Sequence, residues 1–155
     1  MVSASHAGTI TVRKATGDTT IVAIETGVLT VRKPFYNVAS DKSGGSARSF
    51  YEKIFIKNNH ATLSLLSAVV AEDADPTTQI GFDIESSVNG SNSIASRLNT
   101  VPSNMLGSFD SNSKNVPGTD LAAGSRIGVW LKLTLAAGDA PILSTYTLSI
   151  SGSSI

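Results

Sequence analysis

Residues 126–136 read RIGVWLKLTLA, and the alternation in this stretch decides the fold. In an extended chain Ile127, Val129, Leu131, Leu133 and Leu135 share one side, while Gly128, Trp130, Lys132 and Thr134 point away from it. Successive side chains of a β-strand alternate between faces, so this pattern predicts a strand lying over a core. Downstream, residues 137–141 (AGDAP) supply turn chemistry, and Thr145 to Ser151 again alternates, with Tyr146, Leu148 and Ile150 inward. Upstream, residues 79–85 (QIGFDIE) place Ile80, Phe82 and Ile84 inward against Gly81, Asp83 and Glu85 outward. The period of two recurs from end to end, and helical periodicity almost nowhere.

The rest of the chain extends this reading. Tyr51 to Lys57 (YEKIFIK) forms a strand, Asn58-Asn59-His60 a turn, and Ala61 to Val70 (ATLSLLSAVV) the next strand. The doublet Leu65-Leu66 shifts its phase, which calls for a β-bulge near Ser64 to Leu66. At the N-terminal end, residues 9–13, 20–25 and 28–33 read as a three-stranded meander with turns at 15–18 and 26–27. The tetrapeptide TVRK at 11–14 and 30–33 reads as the basic ends of two related strands. Asn37 to Ser49, with Gly44-Gly45, is expected to be a flexible loop. From Ser86 to Ser125 the pattern lapses. Ile94, Leu98, Val101, Met105, Leu106 and Phe109 predict a packed excursion there, with a short helical turn at Ser93 to Leu98.

The expected fold is therefore all-β: an antiparallel two-sheet β-sandwich or jelly roll of about eight strands. One domain is expected over residues 1–155, made of an N-terminal arm at 1–8, N-terminal strands at 9–33, the loop at 37–49 and a main body at 50–155.

Composition narrows the function. Of 155 residues, 12 are Lys or Arg and 12 are Asp or Glu, so the formal charge is zero and no global basic excess exists for binding nucleic acid. The balance hides a split, with net +4 over residues 1–57 and −4 over 58–155, which suits charge-complementary contact between copies. Ser, Thr and Asn number 23, 15 and 9, filling the space left by a charged fraction of only 15%. Without cysteine there is no disulfide framework, thiol catalysis or thiolate metal site. Residues 1–7 lack the basic and apolar segments of a secretory signal, so the chain is expected to stay in the cytoplasm where it is made. No run reaches the roughly 18 apolar residues of a membrane helix, and no membrane partner is expected.

No catalytic constellation emerges. His6 and His60 lie in unpatterned or Asn-rich surroundings, and no G-x-S-x-G elbow presents a serine. Asp83 and Glu85 share a strand face at a spacing two catalytic carboxylates could use, but the simpler expectation is a solvated face. Glu72-Asp73-Ala74-Asp75 offers oxygen ligands for calcium without the glycine and distal glutamate of an EF-hand loop, and reads first as an acidic turn. No cofactor or metal is expected. Asn89-Gly90-Ser91 matches a glycosylation acceptor, which means little without a secretion signal. Trp130, opposite five aliphatic residues, reads first as a packing residue under a loop, and otherwise as a protein-contact residue or a sugar-stacking platform. Phe35-Tyr36 and Phe50-Tyr51 are expected to anchor the two ends of the loop between them.

The openings YEKIFIKN, RIGVWLKLTLAAG and TYTLSISG, at 51–58, 126–138 and 145–152, resemble β-sandwich structural proteins of tailed-bacteriophage virions, notably capsid decoration or cement proteins. The resemblance implies a non-enzymatic protein on the capsid surface of the virion. Its partners would be the major capsid protein and further copies of itself, often as trimers. A tail or baseplate component, or a carbohydrate-binding module, is the alternative. An arm that adds a strand to a neighbour's sheet makes Met1, Val2, Ser3 and Ala4 candidate interface residues beside Trp130.

Overall fold

The computed structural model describes residues 10–14, 22–24, 35, 46–90, 101–139 and 146–153. Among these the chain is all-β and holds no helix. Its strands are β1 (Ile10–Lys14), β2 (Val22–Ile24), β3 (Arg48–Asn58), β4 (Leu66–Ala74), β5 (Ile80–Ile84), β6 (Lys114–Asn115), β7 (Arg126–Leu135) and β8 (Thr147–Ser153). They form two antiparallel sheets. In the first, β7 lies between β3 and β5, and the backbones of β1 and β2 continue the sheet beyond β3. In the second, β4 lies between β6 and β8.

The stretch 126–136 thus becomes the central strand β7, and its aliphatic alternation fixes where the core lies. Register pairs Ile54 with Val129 and Phe82 with Leu131, so the inward residues of three strands stand in rows. Phe50, Ile54, Ile56, Phe82, Ile84, Ile127, Val129, Leu131 and Leu133 from the first sheet join Ala68 and Val70 from β4 in one hydrophobic cluster. Tyr146, Leu148 and Ile150 pack against it as the alternation predicts. Each fully buried aliphatic or Phe side chain contributes about 1.5–3 kcal/mol of transfer free energy. Phe35 also lies in this cluster, and its N–H donates to Glu52 Oε1 at 3.2 Å. Glu52 occupies the core-facing alternation of β3 and is closed off from solvent.

Three local expectations shift, the first being that β3 begins at Arg48, inside the flexible loop expected at 37–49, of which residues 37–45 lie outside the described residues. The strand expected at 61–70 begins only at Leu66 and runs on to Ala74. Residues 58–65 are held as a turn because Asn58 Nδ2 donates to the carbonyls of Leu63 and Leu121 while its Oδ1 accepts the His60 N–H. The first of two register breaks in β4 lies between Leu66 and Val69, at Ser67, where φ is +50° and Asp120 Oδ1 accepts the backbone N–H. The bulge keeps Leu65, Ala68 and Val70 all turned into the core despite their uneven spacing.

The described part of the irregular excursion is pinned to both sheets. Leu65 bridges Leu121, Phe82 bridges Asp110 and Glu85 bridges Met105. Residues 104–110 run along the edge of β5, with Leu106 N–H donating to Ile84 O at 2.8 Å and Phe82 N–H to Asp110 O at 3.0 Å. The meander strand expected at 28–33, the helical turn at 93–98 and the arm at 1–8 lie outside the described residues.

Candidate functional site

Polar and aromatic side chains concentrate on the face of β3, β7 and β5 opposite the aliphatic core. Register sets Lys53, Trp130 and Asp83 in one row across the three strands, and Phe55 opposite Gly128 in the next. The Glu85 N–H bonds to Gly128 O at 2.9 Å, so Glu85 lies just beyond that glycine. The Lys53 side chain crosses Gly128 and its ammonium forms an ion pair with Glu85 Oε1. Only a glycine allows this crossing, because a Cβ at residue 128 would fall 2.6 Å from Lys53 Cε and closer still to the Glu85 carboxylate.

This face is not solvated, which corrects the expectation for Asp83 and Glu85. Lys53 and Glu85 are each 1% exposed and Asp83 is fully buried. Residues 104–110 close over part of the face: Met105 and Phe109 pack on Tyr51 and Trp130, with the Tyr51 and Phe109 rings 5.7 Å apart. Asp83 holds that cover down, its Oδ2 accepting the Gly107 N–H at 2.7 Å and its Oδ1 the Ile84 N–H at 2.9 Å. The Lys53 ammonium sits 4.6 Å from the Phe55 ring centroid and 4.8 Å from that of Trp130. Burial pushes it below the usual lysine range, against the opposing pull of Glu85. Among the described residues, two buried side-chain polar atoms have no hydrogen-bond partner, Glu85 Oε2 and Trp130 Nε1, and both lie on this face.

Trp130 is 2% exposed, so of its three readings the structure places it as a packing residue rather than a protein-contact or sugar-stacking platform. The other candidate contact residues, Met1, Val2, Ser3 and Ala4, lie outside the described residues. The Lys53–Glu85 pair was missed because Lys53 was read only as part of the strand at 51–57, while alternation assigns Glu85 to an outward face and says nothing of what covers it. Its one sequence signal is Gly128, a glycine inside the strongest strand of the chain.

An open groove of about 630 Å³ runs past Glu72, Asp75, Phe109, Asp110, Lys132 and Asp139. Its carboxylates are already occupied by the fold. Glu72 accepts the Tyr146 hydroxyl at 3.0 Å, and burial with this carboxylate beside it holds the phenol above its ordinary range. Asp139 Oδ2 accepts the Ala136 N–H at 2.6 Å and the Gln79 amide at 3.1 Å. Burial opposes ionisation of Asp75, but hydrogen bonds from Thr77 and Ile80 outweigh it and hold the carboxyl below the usual range. The acidic run is also less of a turn than expected: Glu72 and Asp73 are in β4, where Asp73 binds the Ser149 hydroxyl at 2.9 Å. Among the described residues no three His, Asp or Glu side chains converge as metal ligands. His60 Nδ1 accepts the Leu63 N–H at 2.9 Å and so shapes its own turn. Asn89 Oδ1 accepts the Arg126 N–H at 3.0 Å.

Asp110 closes the covering segment through Lys114, whose ammonium lies 2.7 Å from Oδ1 and holds the carboxyl down to about 2. A carboxylate with a depressed folded pKa stabilises above its unfolded value and loses that contribution as pH falls through the folded one. Asp110→Asn is therefore expected to lower stability at neutral pH by up to about 1 kcal/mol, the pair being partly exposed and screened. The difference from the parent should shrink as pH drops from about 4 to about 2, as followed by denaturant melts across that range.

Compared with known proteins, the chain matches no family model, no curated protein sequence and no solved structure.

Proposed function

We propose that the chain is a non-enzymatic structural protein of a bacteriophage virion that binds and stabilises the outer surface of the capsid. In this reading the two sheets close as a sandwich or jelly roll of about eight strands, consistent with side chains of both sheets meeting in one hydrophobic cluster. The observation that carries the proposal is the placement of the exposed large hydrophobics. Among the described residues these are Val101, 64% exposed, and Leu106, 47% exposed, and Leu106 is on the segment 104–110 that covers the first sheet.

That segment is fastened at Leu106 by the Ile84 carbonyl and at Gly107 by Asp83. An apolar contact held in place before binding loses little conformational entropy on docking, which favours repeated attachment to a fixed lattice. The division of charge, net +4 over residues 1–57 and −4 over 58–155, supports contact between neighbouring copies.

The test combines gene context with sedimentation. Capsid and portal genes are expected beside the coding sequence, and the recombinant chain should co-sediment with shells assembled from that capsid protein. Val101→Ser with Leu106→Ser should weaken co-sedimentation by about tenfold or more, since hot-spot truncations cost more than 1 kcal/mol each. Melting temperature should stay within about 2 °C of the parent, as for surface changes within ±0.5 kcal/mol. Saturating chain that leaves the shells bare sinks the proposal.

One observation supports a second reading, a carbohydrate-binding module: the open groove with Phe109, Lys132 and several carboxylates along it. Retention on a glycan array together with a calcium-raised melting midpoint would select it over the virion reading. A tail or baseplate location would instead appear as co-sedimentation with tails and not with shells.

A further inference from the structure

We propose that Lys53 and Glu85 condense into an intramolecular amide that covalently joins β3 to β5 across β7. The pair has the placement this reaction needs. Nζ contacts Oε1 of the carboxyl group on the residue directly after β5, whose N–H is bonded to Gly128 O, and β7 is hydrogen-bonded to both β3 and β5. Holding two reacting groups in contact speeds their reaction by effective molarities of about 10⁵–10⁸ M relative to separate molecules in water. Both groups are 1% exposed, and the Phe55 and Trp130 rings flank the nitrogen. The carboxylate rests against Gly128 and Gly90, where a Cβ at either position would collide with it. Bulk water, the reagent that would reverse the bond, is kept out.

The step balances without any co-reactant. One proton passes from the Lys53 ammonium, whose charge burial disfavours, to Glu85 Oε1, giving a neutral amine and a carboxyl with a hydroxyl to lose. Nζ then bonds to Cδ. The bond from Cδ to the protonated oxygen breaks, a second proton leaves nitrogen with that hydroxyl, and one water departs. Two buried charges are removed, each of which costs several kcal/mol to desolvate. Oε2, which has no hydrogen-bond partner as a carboxylate oxygen, remains as a neutral amide oxygen, for which unpartnered burial is less costly.

Intact-mass spectrometry of the purified, denatured full chain tests this. The expected mass is below the sequence mass by one water. Trypsin should then leave residues 49–57 uncut after Lys53 and attached to residues 58–97, although the backbone between them is cleaved after Lys57. Lys53→Arg keeps the positive charge but offers no condensing amine, and Glu85→Ala removes the carboxyl, so each should show its full sequence mass. Mass is read on denatured chain, so a variant that folds poorly is still informative. A wild-type chain at full sequence mass, or a water deficit that persists in Lys53→Arg or Glu85→Ala, overturns the proposal.

Discussion

Trp130→Ala is expected to destabilise the chain by about 3–5 kcal/mol, the range for truncating a buried Trp or Phe. A surface tryptophan would cost within about ±0.5 kcal/mol, so the two placements differ far beyond error. The large cost follows from the ring's position. It is 2% exposed between the sheet and the covering segment, with Tyr51, Met105 and Phe109 around it and the Lys53 ammonium over it. Its removal would leave a void against residues that are fixed by backbone hydrogen bonds to β5 and cannot collapse freely.

Trp130→Phe is expected to cost less than about 1.5 kcal/mol. It retains an aromatic body and deletes Nε1, a buried donor without a partner. Urea melts give both values. The chain contains one tryptophan, so its emission reports this site alone: it should be blue-shifted and shielded from iodide in the folded state, and red-shifted after unfolding.

The same face shows where the sequence was legible and where it was not. Alternation in β7 and β5 located the core residues, since Ile127, Val129, Leu131 and Leu133, with Phe82 and Ile84, all lie in the main cluster. Periodicity reports which side chains share a face. Whether the other face meets water depends on a contact between residues distant in sequence, here 104–110 on β5. Asp83, Glu85 and Trp130 were therefore placed on the correct side of their strands, while the burial of Asp83 and Glu85 went unread and that of Trp130 was one of its readings. The excursion itself was legible as packed because Met105 and Phe109 are too apolar for a solvated loop, but its partner was not. The acidic run misled for a related reason. Asp and Glu are depleted from strands in general, yet Glu72 and Asp73 extend β4 because β8 pairs with Glu72 and Ala74, and the hydroxyls of Tyr146, just before β8, and Ser149 bind the two carboxylates.

Lys53→Met should cost about 3–5 kcal/mol, because it leaves Glu85 buried without its counter-charge. The informative comparison is the double variant Lys53→Met with Glu85→Leu. Exchanging a buried ion pair for apolar residues of similar volume is often neutral or stabilising by about 1–4 kcal/mol. If the two groups were only an ion pair, the double variant would return to parent stability or exceed it. A covalent link predicts a different result. Lys53 and Glu85 are 32 positions apart, and closing a loop of that size restricts the unfolded chain by about 3–4 kcal/mol in the chain-entropy treatment of cross-links. The double variant would recover what the lone charge costs and still fall short of the parent by about that amount. The denaturant slope separates these cases further, since a cross-linked unfolded state exposes less surface: the parent should show a smaller m-value than either variant. Full recovery of stability with an unchanged m-value would leave Lys53 and Glu85 as a buried ion pair and nothing more.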